Sequence, residues 1–108
     1  MRTLLTLACI LALAAAPVAF ASSGDASVGK KKSTPCAACH GAEGVSASPE
    51  FPNLAGQYAD YLETAMKHYK NGKRKNPIMQ AQVANLSQKD MLDLAAYFSS
   101  QKQLAVKH

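Results

Sequence analysis

The chain has 108 residues, 12 of them Lys or Arg and 7 Asp or Glu, for a formal net charge of +5. That length excludes more than one small domain. Basicity this modest, without a recognised module, also excludes nucleic-acid binding.

Residues 1–21 read as an export address. Arg2 precedes an apolar run from Leu4 to Ala16, followed by Pro17 and the small-residue site Ala19-Phe20-Ala21, which is the pattern of a cleaved secretory signal. The run falls short of the roughly 20 residues a membrane-spanning helix needs. Cys9 lies inside the run, not after it as a lipid-anchored form would require. Cleavage is expected after Ala21, leaving one domain over residues 22–108 with no membrane anchor and only Cys36 and Cys39 as thiols.

Asp25 is placed to cap a first helix running through Val28 toward Lys32. Gly29 inside that helix costs about 1 kcal/mol relative to Ala, which a close helix crossing would explain. Pro35 lacks an amide donor and biases Thr34 away from helix, so the helix should stop or kink before Cys36. Gly41 to Gly56 is dense in Gly, Ser and Pro and reads as a loop. A structureless stretch of that length suits a small domain only when it wraps something, with Val45, Phe51 and Leu54 as wall residues.

From Gln57 to Asn71 the pattern is helical, with Tyr58, Leu62, Ala65 or Met66 and Tyr69 on one face. Glu63 and Lys67 form an i,i+4 pair, and Asn71-Gly72 supplies the stop. Lys73 to Leu86 reads as an irregular basic segment holding Asn76-Pro77-Ile78-Met79. Ser87, with Asp90 three residues on, then opens a last helix. Its stripe is Met91, Leu94, Ala95 and Phe98, with Leu104 as an extension. No segment reads as a strand.

The chemistry concentrates in Cys36-Ala37-Ala38-Cys39-His40. C-x-x-C-H is the signature of covalent haem attachment: two thiols bond the vinyl groups on one haem edge, and the adjacent imidazole reaches the iron. A thioredoxin-like dithiol would need a βαβ setting, and structural zinc would need four ligands. Neither is in view. A covalently held haem would also give a small domain the apolar partner that its own core lacks.

Met66, His68, Met79, Met91 and His108 are the downstream candidates for the second axial position. Met66 and Met91 fall on apolar helix stripes, where a core role is expected. His68 lies on the more polar side of its helix, and His108 is the chain end. Met79, read as a loop residue after Pro77, can bring its thioether to the iron without sacrificing a helix face. A His/Met pair raises the potential relative to bis-His and leaves no open iron site for oxygen or peroxide.

The sequence resembles the class I c-type cytochromes, in particular the short bacterial periplasmic ones and single halves of their two-haem relatives. The resemblance rests on Gly24-Asp25-Ala26 with Gly29, on Cys36 through Gly41, on Pro52-Asn53-Leu54-Ala55-Gly56-Gln57, on Asn76-Pro77-Ile78-Met79, and on Leu86-Ser87 with Asp93 through Phe98. It implies an all-α fold of about four helices around one covalent haem c, with His40 and Met79 as axial ligands to the iron. It further implies that the Pro52 carbonyl accepts the Nδ1–H of His40, and that the first and last helices cross with Gly29 near Leu94 and Tyr97.

The function implied is that of a soluble, monomeric, periplasmic electron carrier rather than an enzyme. Its donor would be a membrane cytochrome complex and its acceptor a terminal oxidase or reductase. A haem peroxidase or gas sensor with a labile Met79 is the alternative. The clusters Lys30-Lys31-Lys32 and Lys73-Arg74-Lys75 are either solvated helix ends or a docking face for an acidic redox partner.

Overall fold

Among the described residues five stretches become helices, and three of them open on a side-chain cap, from Asp25, Asn76 and Ser87. The computed structural model describes Gly24 to Lys102. The export segment 1–21, the extension toward Leu104, and His108 lie outside the described residues. Helix α1 spans Ala26–Lys32, α2 Thr34–His40, α3 Ala59–Asn71, α4 Pro77–Val83 and α5 Gln88–Ser99. Among the described residues there is no strand, so the domain is all-α.

The Asp25 carboxylate accepts from the backbone N–H groups of Ser27 and Val28 and opens α1. The break before Cys36 is present, but it is a single residue, Ser33. Pro35 lies in the first turn of α2, where its missing N–H would have had no helical partner, so Thr34 is helical despite preceding it. The first helix thus ends at Lys32 as expected, α2 is an additional one, and the described residues hold five helices where about four were expected.

Helix α3 ends at Gly72, whose φ of 81° is left-handed and suits a residue without Cβ. The Glu63–Lys67 pair closes at 2.6 Å. At α5 the Ser87 side chain accepts from the Asp90 N–H and the Asp90 carboxylate from the Ser87 N–H, a complete capping box with Asp in the third position. The segment 73–86 departs from its irregular reading. Asn76 accepts from the N–H groups of Ile78 and Met79, Pro77 opens the helix, and α4 runs to Val83.

The core is built on α5. Leu94, Ala95, Tyr97 and Phe98 are buried with Leu62 of α3, and Cys36, Leu54, Met66 and Leu86 pack against them. Met91 and Val83 are buried as well. Helix α1 packs on α5, and α3 packs on both α4 and α5. At the α1–α5 crossing, a Cβ built on Gly29 would stand 1.9 Å from the Asp93 carbonyl oxygen and 2.8 Å from the Tyr97 Cβ. Gly29→Ala is accordingly expected to force the crossing apart. Overpacking of this kind costs about 1–3 kcal/mol, and the gain in helix propensity offsets only part of it. Denaturant unfolding of the variant measures the net loss.

The 41–56 loop is held to this frame by backbone groups. Leu54 and Ala55 both donate to the Gly44 carbonyl, and Gly56 donates to the Phe98 carbonyl of α5. The Tyr97 hydroxyl donates to the Ala42 carbonyl at 2.7 Å. Tyr97→Phe is expected to lose about 1 kcal/mol through that one bond, measurable in the same unfolding experiment.

Candidate haem site

Spacing on α2 explains the motif's order. Residues three and four apart share a helix face, so Cys36, Cys39 and His40 line one cavity, while Ala38 is exposed. Both thiols are free. Burial pushes the Cys36 thiol above its ordinary range and favours the neutral form.

His40 is buried, with 7% of its surface exposed. Its Nδ1 lies 2.8 Å from the Pro52 carbonyl oxygen. A carbonyl can only accept, so this contact selects the tautomer protonated at Nδ1 and leaves the Nε2 lone pair available. The Phe51 ring stands edge-on to the imidazole, with centroids 6.5 Å apart. The bond expected between His40 and Pro52 is thus formed within the protein itself.

The cavity measures about 530 Å³, within the roughly 300–1,000 Å³ typical of cofactor sites. Phe51 and Leu54 of the loop wall it, as do Leu62, Ala65 and Met66 of α3 and Leu94, Ala95 and Phe98 of α5. Val45, expected on the wall, does not line it. Met79 lines it from the first turn of α4, not from a loop as expected: the Asn76 cap and Pro77 start a helix there. Of the other ligand candidates, Met66 lines the cavity and packs on the core. His68 and Met91 do not line it.

Polar residues, Gln57, Tyr61, Arg74 and Asn76 among them, also line the cavity; the sequence reading did not place them at the site. Nothing in a periodicity argument marks them, because they fall at helix starts and in turns. The Arg74 guanidinium lies 4.8 Å from the Tyr69 ring centroid and donates to the Tyr61 hydroxyl at 3.4 Å.

Two free thiols and an oriented imidazole on one helix face, opening into an apolar cavity of cofactor size, fit a covalently attached haem. The fold and site define a helical domain built to wrap one haem. The Cytochrome c family profile matches residues 26–102. The chain is 49% identical over 81 residues to cytochrome c4 of Pseudomonas aeruginosa, across 75% of this chain and 40% of that one. It is 45% identical over 83 residues to cytochrome c-554(548) of Halomonas halodenitrificans, covering all of that protein and 74% of this chain. The crystal structure of reduced recombinant cytochrome c4 from Pseudomonas stutzeri superposes with a TM-score of 0.71 at 43% identity, over 74% of this chain and 47% of that one.

The chain belongs to the cytochrome c family, with the class I fold of cytochrome c4, and its cofactor is haem c with its iron. It spans about half or less of the length of the cytochrome c4 relatives it matches, and one haem fits one such domain.

Proposed function

We propose that this protein is a one-electron carrier whose haem iron is held between His40 and Met79. The observation that carries the reading is that the cavity receives an imidazole with its Nδ1 already committed to Pro52 from α2, and a thioether from α4, a separate element. Haem iron supplies a reversible ferric/ferrous couple. The chain's residues do the rest: Cys36 and Cys39 would hold the vinyl edge, His40 would offer Nε2 and Met79 its sulfur, and the apolar wall excludes water. Filling both axial positions favours electron transfer over oxygen or peroxide chemistry.

Export through residues 1–21, with cleavage after Ala21, places the 22–108 domain in the periplasm. No helix of the described residues is long and apolar enough to cross a membrane. There it would act as a monomer between a membrane cytochrome complex and a terminal oxidase or reductase. Relatives are named as the thiosulfate dehydrogenase electron acceptor of Stutzerimonas stutzeri and the cytochrome subunit of sulfide dehydrogenase of Chlorobaculum tepidum, which supports a redox-enzyme partner as well. The exposed residues Lys73, Arg74 and Lys75 form a basic segment beside the cavity, suited to an acidic partner. Partner reduction is then expected to slow as salt screens the attraction.

The test is a reduced-minus-oxidised spectrum of exported protein together with an intact mass showing one haem on a chain that begins at Ser22. Met79→Ala should abolish the sulfur-to-iron charge-transfer band and lower the potential. An unchanged spectrum and potential in that variant would reassign the ligand. Rapid, complete CO binding by the reduced native protein would favour a sensor or peroxidase with a labile Met79 over a carrier.

A further inference from the structure

We propose that Ser46 and Asn53 form a clamp that holds the Pro52 carbonyl on the Nδ1–H of His40 and thereby sets the reduction potential of the haem iron. The inference rests on the haem reading above and concerns two positioning residues that reading leaves without a role.

Pro52 has no N–H with which to anchor itself. Its carbonyl oxygen lies 2.8 Å from the His40 Nδ1, so the direction of that carbonyl depends on the residues at either side. Ser46 grips both sides. Its backbone N–H donates to the Asn53 Oδ1 at 2.7 Å, just after Pro52. Its hydroxyl donates to the Ser48 carbonyl at 2.7 Å, and the same carbonyl accepts from the Phe51 N–H at 3.2 Å, just before Pro52. The Ser48 N–H donates back to the Ser46 hydroxyl at 3.1 Å, which fixes its orientation. The Cys39 carbonyl, one residue ahead of His40, also stands 3.3 Å from that hydroxyl. One serine therefore touches the chain on both sides of Pro52 and the chain leading into His40.

The backbone pairing of the loop does not replace this clamp. Leu54 and Ala55 donate to the Gly44 carbonyl, which places the chain beyond Asn53 but leaves the peptide between Pro52 and Asn53 free to tilt. That peptide carries the carbonyl His40 uses. A water could satisfy the Ser46 N–H as well as Asn53 does, yet a water would not restrain the tilt.

The consequence falls on the imidazole. An acceptor held on the Nδ1–H makes the other ring nitrogen more basic, and a more basic ligand favours ferric over ferrous iron. The clamp therefore lowers the potential, and loosening it raises the potential.

The experiment uses the holoprotein. Asn53→Ala and Ser46→Ala should each raise the reduction potential. In the diamagnetic ferrous state each should also speed solvent exchange of the His40 Nδ1–H, read by NMR, on the order of fivefold, the population effect of one weakened hydrogen bond. Ser46 does not line the cavity, so its shift does not arise from a change of polarity against the haem. Asn53→Asp keeps the acceptor and should keep the exchange slow. Ser48→Ala is the control: it removes a hydroxyl of the same loop that accepts from the Glu50 N–H at 3.3 Å and leaves the Ser48 carbonyl in place. A clamp that only stabilises the loop would lower Tm while potential and exchange stay at their wild-type values. That result, or shifts no larger than those of Ser48→Ala, overturns the proposal. A wild-type mass without haem would instead overturn the function proposed above, so the two failures are distinguishable.

Discussion

Cys36→Ala combined with Cys39→Ala is expected to leave a chain that does not hold this fold when it is produced without haem. The cavity of about 530 Å³ is apolar over most of its wall. At about 24 cal/mol per Å³ of unfilled cavity, leaving it empty would cost up to about 13 kcal/mol. Water entering the open side reduces that figure, yet it remains comparable to the whole stability of a small domain, about 5–15 kcal/mol. Leu54, Met66 and Phe98 would each lose the surface they face. Far-UV circular dichroism should report loss of helix in the haem-free double variant, against a helical holoprotein. A native-like helical signal and a cooperative melt in the haem-free variant would show that the protein core suffices alone.

The second large effect is expected at Asp93. Its side chain is buried and closes the α1–α5 crossing. One carboxylate oxygen accepts from the Asp25 N–H at 2.8 Å. The other accepts from Lys32 at 2.9 Å and Lys89 at 2.8 Å. Lys32 also reaches Asp90 at 2.7 Å. Asp93→Ala removes the acceptor that ties Asp25, Lys32 and Lys89 together and leaves the Asp25 N–H without its partner, and breaking a buried charged network is among the most damaging single changes. Tm is expected to fall on the order of 10 °C, with Asp93→Asn less damaged because it retains one acceptor.

The same cluster sets the acid limit. The Asp25 N–H, followed by Lys89 and Lys32, holds the Asp93 carboxyl well below its ordinary 3.8. The Lys32 ammonium, followed by the Ser87 N–H, lowers Asp90 to about 2. A carboxyl depressed on folding contributes stability that is complete above its unfolded value and lost as pH falls through the folded one. Stability from this latch should therefore be flat at neutral pH and decline from about pH 4 downward. Unfolding measured against pH should show a shallower acid decline in Asp93→Asn. An identical acid slope in wild type and variant would remove the latch from the account.

Legibility followed range. Asp25, Ser87 with Asp90, and Gly72 act within a few residues of themselves, so each could be read as a cap or a stop, and each is one. The apolar stripe of α5 was equally legible, because a long helix repeats its pattern enough times to declare a face. Helix α4 was not read, although Asn76 and Pro77 form a start signal, since seven residues give no period to count. Pro35 was read for what it forbids; what it permits, the first turn of α2, depended on where that helix began. Lys32 was grouped with Lys30 and Lys31 as a basic cluster, and its pairing with Asp90 and Asp93 could not be foreseen from positions some 60 residues away in the chain.

The sequence by itself determined the cofactor, haem c, because the spacing of Cys36, Cys39 and His40 is that of the attachment signature and lies within a single helical turn. It also determined the all-α class, through caps and stripes that are local in the same sense. Only the tertiary structure decided what encloses the cofactor site. The bond from His40 to Pro52, the approach of α4 with Met79, the cavity position of Arg74 and the Asp93 latch all join elements whose relative placement arises from burying α5 against α1 and α3. Helix packing sets that placement, and no local pattern encodes it.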